Sequence, residues 1–230
     1  MCFPTRRLMP WGTNIWVAEQ PLTFCHLEFG CRMTVIRLSD NKLFIHSPVS
    51  MDNQLKKEVD ALGSVSYLIA PNKLHHLYMA QWQQEYPLAL TFAPPGLLEK
   101  RKDINWYAEL TDGAHDGWRE EVSQVIIRGS CYMEEVVFCH HASRTLIVAD
   151  LVENFGCDDH WRTKLVAKIA GMYGKPTLPP DWRLTFCHKD EFRGSIDKLL
   201  SHDWDRVILA HGKLLQEDAR QAVISALRAM

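Results

Sequence analysis

Four side chains of the kinds that hold metal ions stand at the ends of apolar runs: His75 and His76 after residues 65–70, Asp150 closing 145–150, and His211 after 206–210. Imidazole nitrogens and a carboxylate oxygen are donors that zinc, iron and manganese accept. In layered α/β folds ligands bind beyond the carboxyl ends of the strands, where loops and helix N-termini are exposed on a rigid sheet. A shared rim would therefore bring these groups together, although 74 residues separate His76 from Asp150 and 61 separate Asp150 from His211. A helix expected over 75–86 would turn the positive end of its dipole toward the histidine pair, disfavour imidazolium and keep the rings in the coordinating form. Gly212, following His211, lets backbone approach closely. Each residue also has a plainer role open to it. The histidine pair suits a solvated or capping position, Asp150 an N-cap or turn, and His211-Gly212 a strand-end turn. Their common place after strands is what sets them apart.

The elements that must position these groups can be read from period and punctuation. Residues 35–38 and 43–46 read as strands of a hairpin around Ser39-Asp40-Asn41. A helix is expected over 51–62, with Ser50 as cap, Leu55, Val59 and Leu62 on one stripe, and Gly63 as stop. Short strands follow at 65–70 and 89–92, flanking the helix expected at 75–86. The stretch 93–124 is polar and carries Pro94-Pro95-Gly96, so it reads as a loop-rich insertion whose Trp106 and Trp118 would form a lid. Strands are expected at 124–128, 135–139, 145–150 and 206–210, and helices at 160–173, 191–200 and 214–227. This alternation with mixed hairpins indicates an α/β layered architecture, read as one domain over 1–230.

The order of these elements resembles the metallo-β-lactamase superfamily. The likeness is carried by Leu43-Phe44-Ile45-His46, by Ala70-Pro71-Asn72-Lys73-Leu74-His75-His76, by the 145–150 run ending in Asp150, and by Ile208-Leu209-Ala210-His211-Gly212. More narrowly, the chain is similar to a domain-of-unknown-function family that shares the Asn-Lys-Leu-His-His stretch and the Ala-His-Gly end. The resemblance implies a four-layer αββα sandwich with its active site at one edge. The superfamily's His-x-His-x-Asp-His loop falls on 71–76. Its first two histidines become Pro71 and Lys73, its aspartate becomes His75, and its last histidine is His76. No histidine stands near Gly129-Ser130, where the next would fall; Asp150 and His211 match the remaining ligands, and His46 replaces an early aspartate. Pro71 has no donor and Lys73 brings an ammonium, so a first metal position is lost. Lys73 is expected to stand in electrostatically for that cation.

The resemblance thus implies one divalent ion, zinc first and iron or manganese next, held by His75, His76, Asp150 and His211. Four protein ligands close a site, so Asp150 is expected to double as a catalytic base. The expected function is a metal-dependent hydrolase-like protein with a degenerate mononuclear site acting on a small molecule. The alternative is a non-catalytic descendant binding a small molecule or protein in the former cleft. His46 is read as facing the site or as packing, and Cys139-His140-His141 as structural.

Composition bounds the partners. The 230 residues are 47% hydrophobic and 23% charged, with 26 basic against 28 acidic side chains and a net charge of -2. That balance offers no field for nucleic acid or an anionic membrane surface. Seven scattered cysteines (Cys2, Cys25, Cys31, Cys131, Cys139, Cys157 and Cys187) contain no close-spaced motif, and read as reduced thiols of a cytoplasmic protein. The two arginines near the start precede no apolar stretch of roughly seven or more residues, so no signal peptide is expected.

Overall fold

A computed structural model of the chain describes residues 7–24 and 26–228. The elements are β1 (Met9–Gly12), β2 (Ile15–Gln20), β3 (Thr23–Phe24), β4 (Leu27–Glu28), β5 (Cys31–Arg37), β6 (Lys42–His46), α1 (Asn53–Leu62), β7 (Ser64–Ile69), α2 (Met79–Glu85), β8 (Leu90–Ala93) and β9 (Ala108–Glu109). They continue as β10 (Val122–Ile127), β11 (Glu135–His140), β12 (Thr145–Val148), α3 (Trp161–Ile169), α4 (Pro180–Arg183), α5 (Lys189–Ser201), β13 (Arg206–Leu209) and α6 (Ala219–Leu227). One sheet runs β1-β2-β5-β6-β7-β8-β9 and the other β10-β11-β12-β13, with β3-β4 a separate small ribbon.

Strand alternation builds four layers. Successive residues of a strand point to opposite faces, so Met33, Val35, Leu43 and Ile45 pack with Leu55 and Val59 of α1 and with Met79 and Trp82 of α2. Their neighbours Ile36 and Phe44 meet Ile126, Val136, Phe138, Ile147 and Ile208 of the second sheet. On that sheet's far face, Val137, Leu146, Val148 and Val207 pack against Phe192 and Leu199 of α5 and Val223 of α6. The order is helix, sheet, sheet, helix, as the resemblance implied.

The hairpin falls as read, β5 pairing antiparallel with β6 and Arg37 facing Leu43. Helix α1 starts later than expected. Its cap is Asp52 rather than Ser50, because Asp52 accepts from Gln54 N at 3.0 Å and Leu55 N at 2.8 Å. A larger correction concerns 75–86, where the helix begins only at Met79 and residues 73–78 form turns. Asn72 Oδ1 accepts from Leu74 N (2.9 Å) and His75 N (3.0 Å), as Asp52 does at the start of α1, but the backbone bonds that follow, His76 N to Leu74 O and Met79 N to His76 O, span two and three residues and not the four of an α-helix. The dipole argument for neutral rings therefore lapses. Trp118 is not a lid residue: it is buried and packs edge-on against Phe44 at 5.1 Å and Phe92 at 4.9 Å between the sheets. Trp106 packs on the first sheet's helical side, with Nε1 donating to Arg101 O at 3.0 Å.

Cys131 and Cys187 form a disulfide across 56 residues, which corrects the reading of these two as reduced thiols. Cys31 and Cys139 are buried and Cys157 is exposed, while Cys2 and Cys25 lie outside the described residues. Among the described residues no helix is long and apolar enough to cross a membrane.

Candidate metal centre

Parallel strands in each sheet aim their carboxyl ends at the same edge. In the first sheet β6 runs parallel to β7, and in the second β12 runs parallel to β13. Beyond β7 lies His75, beyond β12 Asp150, and beyond β13 His211. Each offers one donor atom to a group whose members all lie within 4.8 Å of one another. His75 Nε2 stands 3.3 Å from Asp150 Oδ1, His211 Nε2 stands 3.2 Å from the same oxygen, and the two Nε2 atoms are 3.2 Å apart.

His76 is not in this group. Its Nδ1 accepts from Arg101 Nη1 at 2.6 Å, and Arg101 also donates to its carbonyl at 3.2 Å. Burial, then the positive charges of Lys100 and Arg101, lower the His76 pKa to about 4. The ion-pair partners of Asp150 among the described residues are His75 and His211, not Lys73. Lys73 Nζ lies against Gly96, where an added Cβ would meet it at 2.8 Å. His46 is buried in the inter-sheet layer, edge-on to Phe138 at 5.5 Å. Burial and then the charge of His75 bring its pKa down to about 3.

Each ligand is held from behind. His211 Nδ1 lies 2.7 Å from Gly30 O, and since a carbonyl only accepts, Nδ1 carries the hydrogen and Nε2 of the neutral ring presents a lone pair to the site. Ser47 Oγ lies 2.7 Å from His75 Nδ1 and serves either tautomer. Asn72 Nδ2 donates to Asp150 Oδ2 at 2.7 Å and to Glu135 Oε2 at 2.8 Å. With its oxygen already capping Leu74 and His75, the buried amide of Asn72 is fully used. Glu135, wholly buried, also accepts from Ala149 N (2.9 Å), Asp150 N (2.7 Å) and Leu151 N (3.3 Å), and so fixes the turn that carries Asp150. Sequence reasoning passed over Asn72, Ser47 and Glu135. The available signals were an asparagine two and three residues before the backbone amides it caps, and the second glutamate of Glu134-Glu135 opening the apolar run Val136–Cys139.

The loop after β13 is pinned by Arg32, which donates to the carbonyls of Leu209 and Gly212 and pairs with Glu19 at 2.6 Å. Gly212 sits at φ +80°, and a Cβ there would lie 2.2 Å from Asn154 O. We therefore expect Gly212→Ala to cost on the order of 3 kcal/mol, lowering Tm by about 6–12 °C, because both the left-handed backbone and the backbone contact resist a side chain. A thermal melt checks this, and an unchanged Tm would contradict the packing described.

The electrostatics favour a cation. Burial alone would raise the Asp150 pKa, but His75 and His211 hold it well below the usual carboxylate range. Burial works to lower His75, yet Asp150 outweighs it and the net direction is up. Burial and then Asp150 raise Glu135 to about 7, against its four N–H donors. Burial, partly opposed by His211, raises Glu153 to about 8. The ordinary value for Glu153 is 4.5, so between about pH 4.5 and 8 the folded chain keeps a proton that the unfolded chain has released, and stability falls as pH rises. Metal-free Glu153→Gln should match the parent near pH 5 and exceed it at pH 8 by on the order of 3 kcal/mol. Tm measured across that range checks the sign; parallel profiles would refute it.

The donor set fits a metal ion. A tetrahedral ion bonded at about 2.0–2.1 Å spaces its donors roughly 3.3–3.4 Å apart, and the three atoms here already stand 3.2–3.3 Å apart. Asp150, a buried carboxylate between two imidazoles, supplies the negative charge that a cation would neutralise. Three protein donors leave one tetrahedral position open, the pattern of catalytic rather than structural zinc sites. His75, Asp150 and His211 all line a cavity of about 910 Å³.

Comparison with known proteins places these observations. A family profile described as Domain of unknown function (DUF4336) matches residues 12–158, a span that holds His75 and Asp150 but not His211. No curated protein matches the chain by sequence. Among solved structures, the chain is similar to DIM-1 metallo-beta-lactamase exposed to ceftazidime, at 15% identity and TM-score 0.67 over 100% of this chain and 99% of that one. It is also similar to a metallo-beta-lactamase from Pontibacter korlensis, at 9% identity and TM-score 0.64 over 97% of this chain and 99% of the other. The metal-soaked Flv1 flavodiiron core from Synechocystis sp. PCC6803 matches at 13% identity and TM-score 0.67, covering 97% of this chain and 60% of that one. Identities this low speak to the fold, which is the metallo-β-lactamase sandwich.

Proposed function

The chain belongs to the DUF4336 family, and from that premise we propose that it is a metal-dependent hydrolase-like protein with a single divalent ion held by His75, Asp150 and His211. The observation that carries the reading is the triangle of His75 Nε2, His211 Nε2 and Asp150 Oδ1 at 3.2–3.3 Å, with two nitrogens and one oxygen drawn from both sheets. Zinc suits this donor set best, and iron or manganese next. When bound, such an ion supplies a Lewis acid that polarises a carbonyl or phosphoryl oxygen and makes water a stronger nucleophile at neutral pH.

The protein's own groups do the rest. Gly30 O orients the His211 ring, Ser47 supports His75, and Asn72 ties back Oδ2 of Asp150 so that Oδ1 faces the imidazoles. Asp150 Oδ1, the only carboxylate oxygen in the group, is the atom placed to accept a proton at the site. His76 is left out of the ligand set on geometry. Lys73 and Lys100 line the cavity beside it and bring positive charge to the rim. We read the former first-metal position as lost, which leaves a mononuclear site.

Elemental analysis tests this reading. Protein made without a histidine tag and supplied with zinc, iron or manganese is expected to retain about one ion per chain. Substoichiometric metal under all three supplements would favour the non-catalytic descendant instead.

A further inference from the structure

The cavity beside the triad differs sharply in character from its polar floor. Leu27, Phe29, Met133, Phe155, Met172 and Trp182, from widely separated stretches of chain, converge on its walls. The Phe29 ring packs edge-on to His211 at 6.1 Å and against Phe155 at 5.7 Å, so the apolar wall begins at the site itself. Farther out, Leu77, Tyr132 and Val166 also line the cavity while remaining 55%, 57% and 42% exposed. Large apolar side chains left facing water around a concave site mark a surface that an apolar ligand covers. The triad and the Lys73 and Lys100 rim line one part of it, and Thr23, Thr163, Asp181 and Thr185 are the polar residues that stand among the apolar stretches.

From this division we infer that the cavity binds a long apolar chain, the substrate being an amphiphilic ester or amide whose carbonyl head sits at His75, Asp150 and His211 and whose tail fills the apolar wall. The inference rests on the proposed hydrolase reading for its head group only. Hydrolysis of such a substrate adds one water across the acyl bond, releasing a carboxylic acid and an alcohol or amine, and requires no further reactant. Burial of each added methylene should strengthen binding about fourfold while the tail remains inside.

The test separates tail binding from chemistry. Butanol, hexanol, octanol and decanol are titrated as displacers of a fluorescent anilinonaphthalene sulfonate from the wild-type chain and from Asp150→Asn. Affinity is expected to rise about two- to fourfold per methylene in both proteins. Ala167→Phe, which adds a ring where Ala167 packs with Phe155 and Met172, should flatten the series at hexanol. Ala170→Trp, on an exposed residue lining the cavity, makes the same test without disturbing buried packing. Affinity independent of chain length, or a series unchanged by both substitutions, would overturn the inference. In parallel, metal-loaded protein is assayed on p-nitrophenyl esters from butanoate to decanoate. A steep alcohol series without ester hydrolysis sinks the hydrolase reading alone, and hydrolysis with no preference for chain length sinks the tail site alone.

Discussion

Asp150→Asn and His211→Ala are each expected to reduce retained metal from about one ion per chain to below about one tenth, with the fold intact. Asp150→Asn replaces the charged donor by a neutral amide and His211→Ala removes a nitrogen donor outright, and the loss should exceed the roughly 10–100-fold that follows removal of a supporting second partner. His76→Ala should keep its metal, because the His76 ring is occupied by Arg101 at 2.6 Å and takes no part in the triangle. The contrast between adjacent residues is the informative part. Elemental analysis on parallel preparations, with circular dichroism to confirm folding, reads it directly. Full metal in Asp150→Asn, or equal loss in His76→Ala, would refute the ligand set. Ser47→Ala should show the intermediate behaviour, since it frees His75 Nδ1 without removing a donor.

Glu135→Ala is expected to produce the largest loss of stability among substitutions away from the ligands. The side chain is wholly buried and receives three backbone N–H groups and one from the Asn72 amide. Truncation strands these donors, at roughly 1–3 kcal/mol for each group left unsatisfied. Partial relaxation and water entry reduce the sum, so about 4 kcal/mol is a fair expectation, with Tm lower by about 8–16 °C. Glu135→Gln is the sharper probe of cause. It keeps the volume but substitutes an NH₂ for one accepting oxygen, setting donor against donor, and should recover only part of the loss. Denaturant melts of the metal-free proteins check both. A Tm within a few degrees of the parent for Glu135→Ala would show that the carboxylate is not what holds the Asp150 turn. Metal affinity should fall alongside stability, because the same four bonds set the position of Asp150.

Much of the architecture was legible in the order of elements. The β5–β6 hairpin, helix α1 between two parallel strands, and the late β13 strand all follow local period and turn residues. The elements that escaped were the β1–β2 start, the short β3–β4 ribbon, the two-residue β9 and α4, a single turn. The 93–124 stretch misled for a physical reason. Its composition is that of a loop, yet Trp118 is drawn between the sheets by Phe44, Tyr67 and Phe92, residues that local sequence does not place beside it. The expected helix over 75–86 starts only at Met79, because the backbone bonds across 74–79 close turns of two and three residues, and His75 is left in a turn beside Asp150.

Residue type and strand-end position alone nominated His75, His76, Asp150 and His211, since apolar runs announce where a sheet ends and only a few groups bond metals. Which of the two adjacent histidines serves was decided by tertiary contacts: Ser47, Asp150 and His211 gather one ring while Arg101 takes the other. Neighbouring residues in a turn project in different directions, and the partners that select between them come from remote parts of the chain. No local pattern encodes that choice. The apolar cavity arose in the same way, from side chains that become neighbours only when the two sheets and their helices close around it.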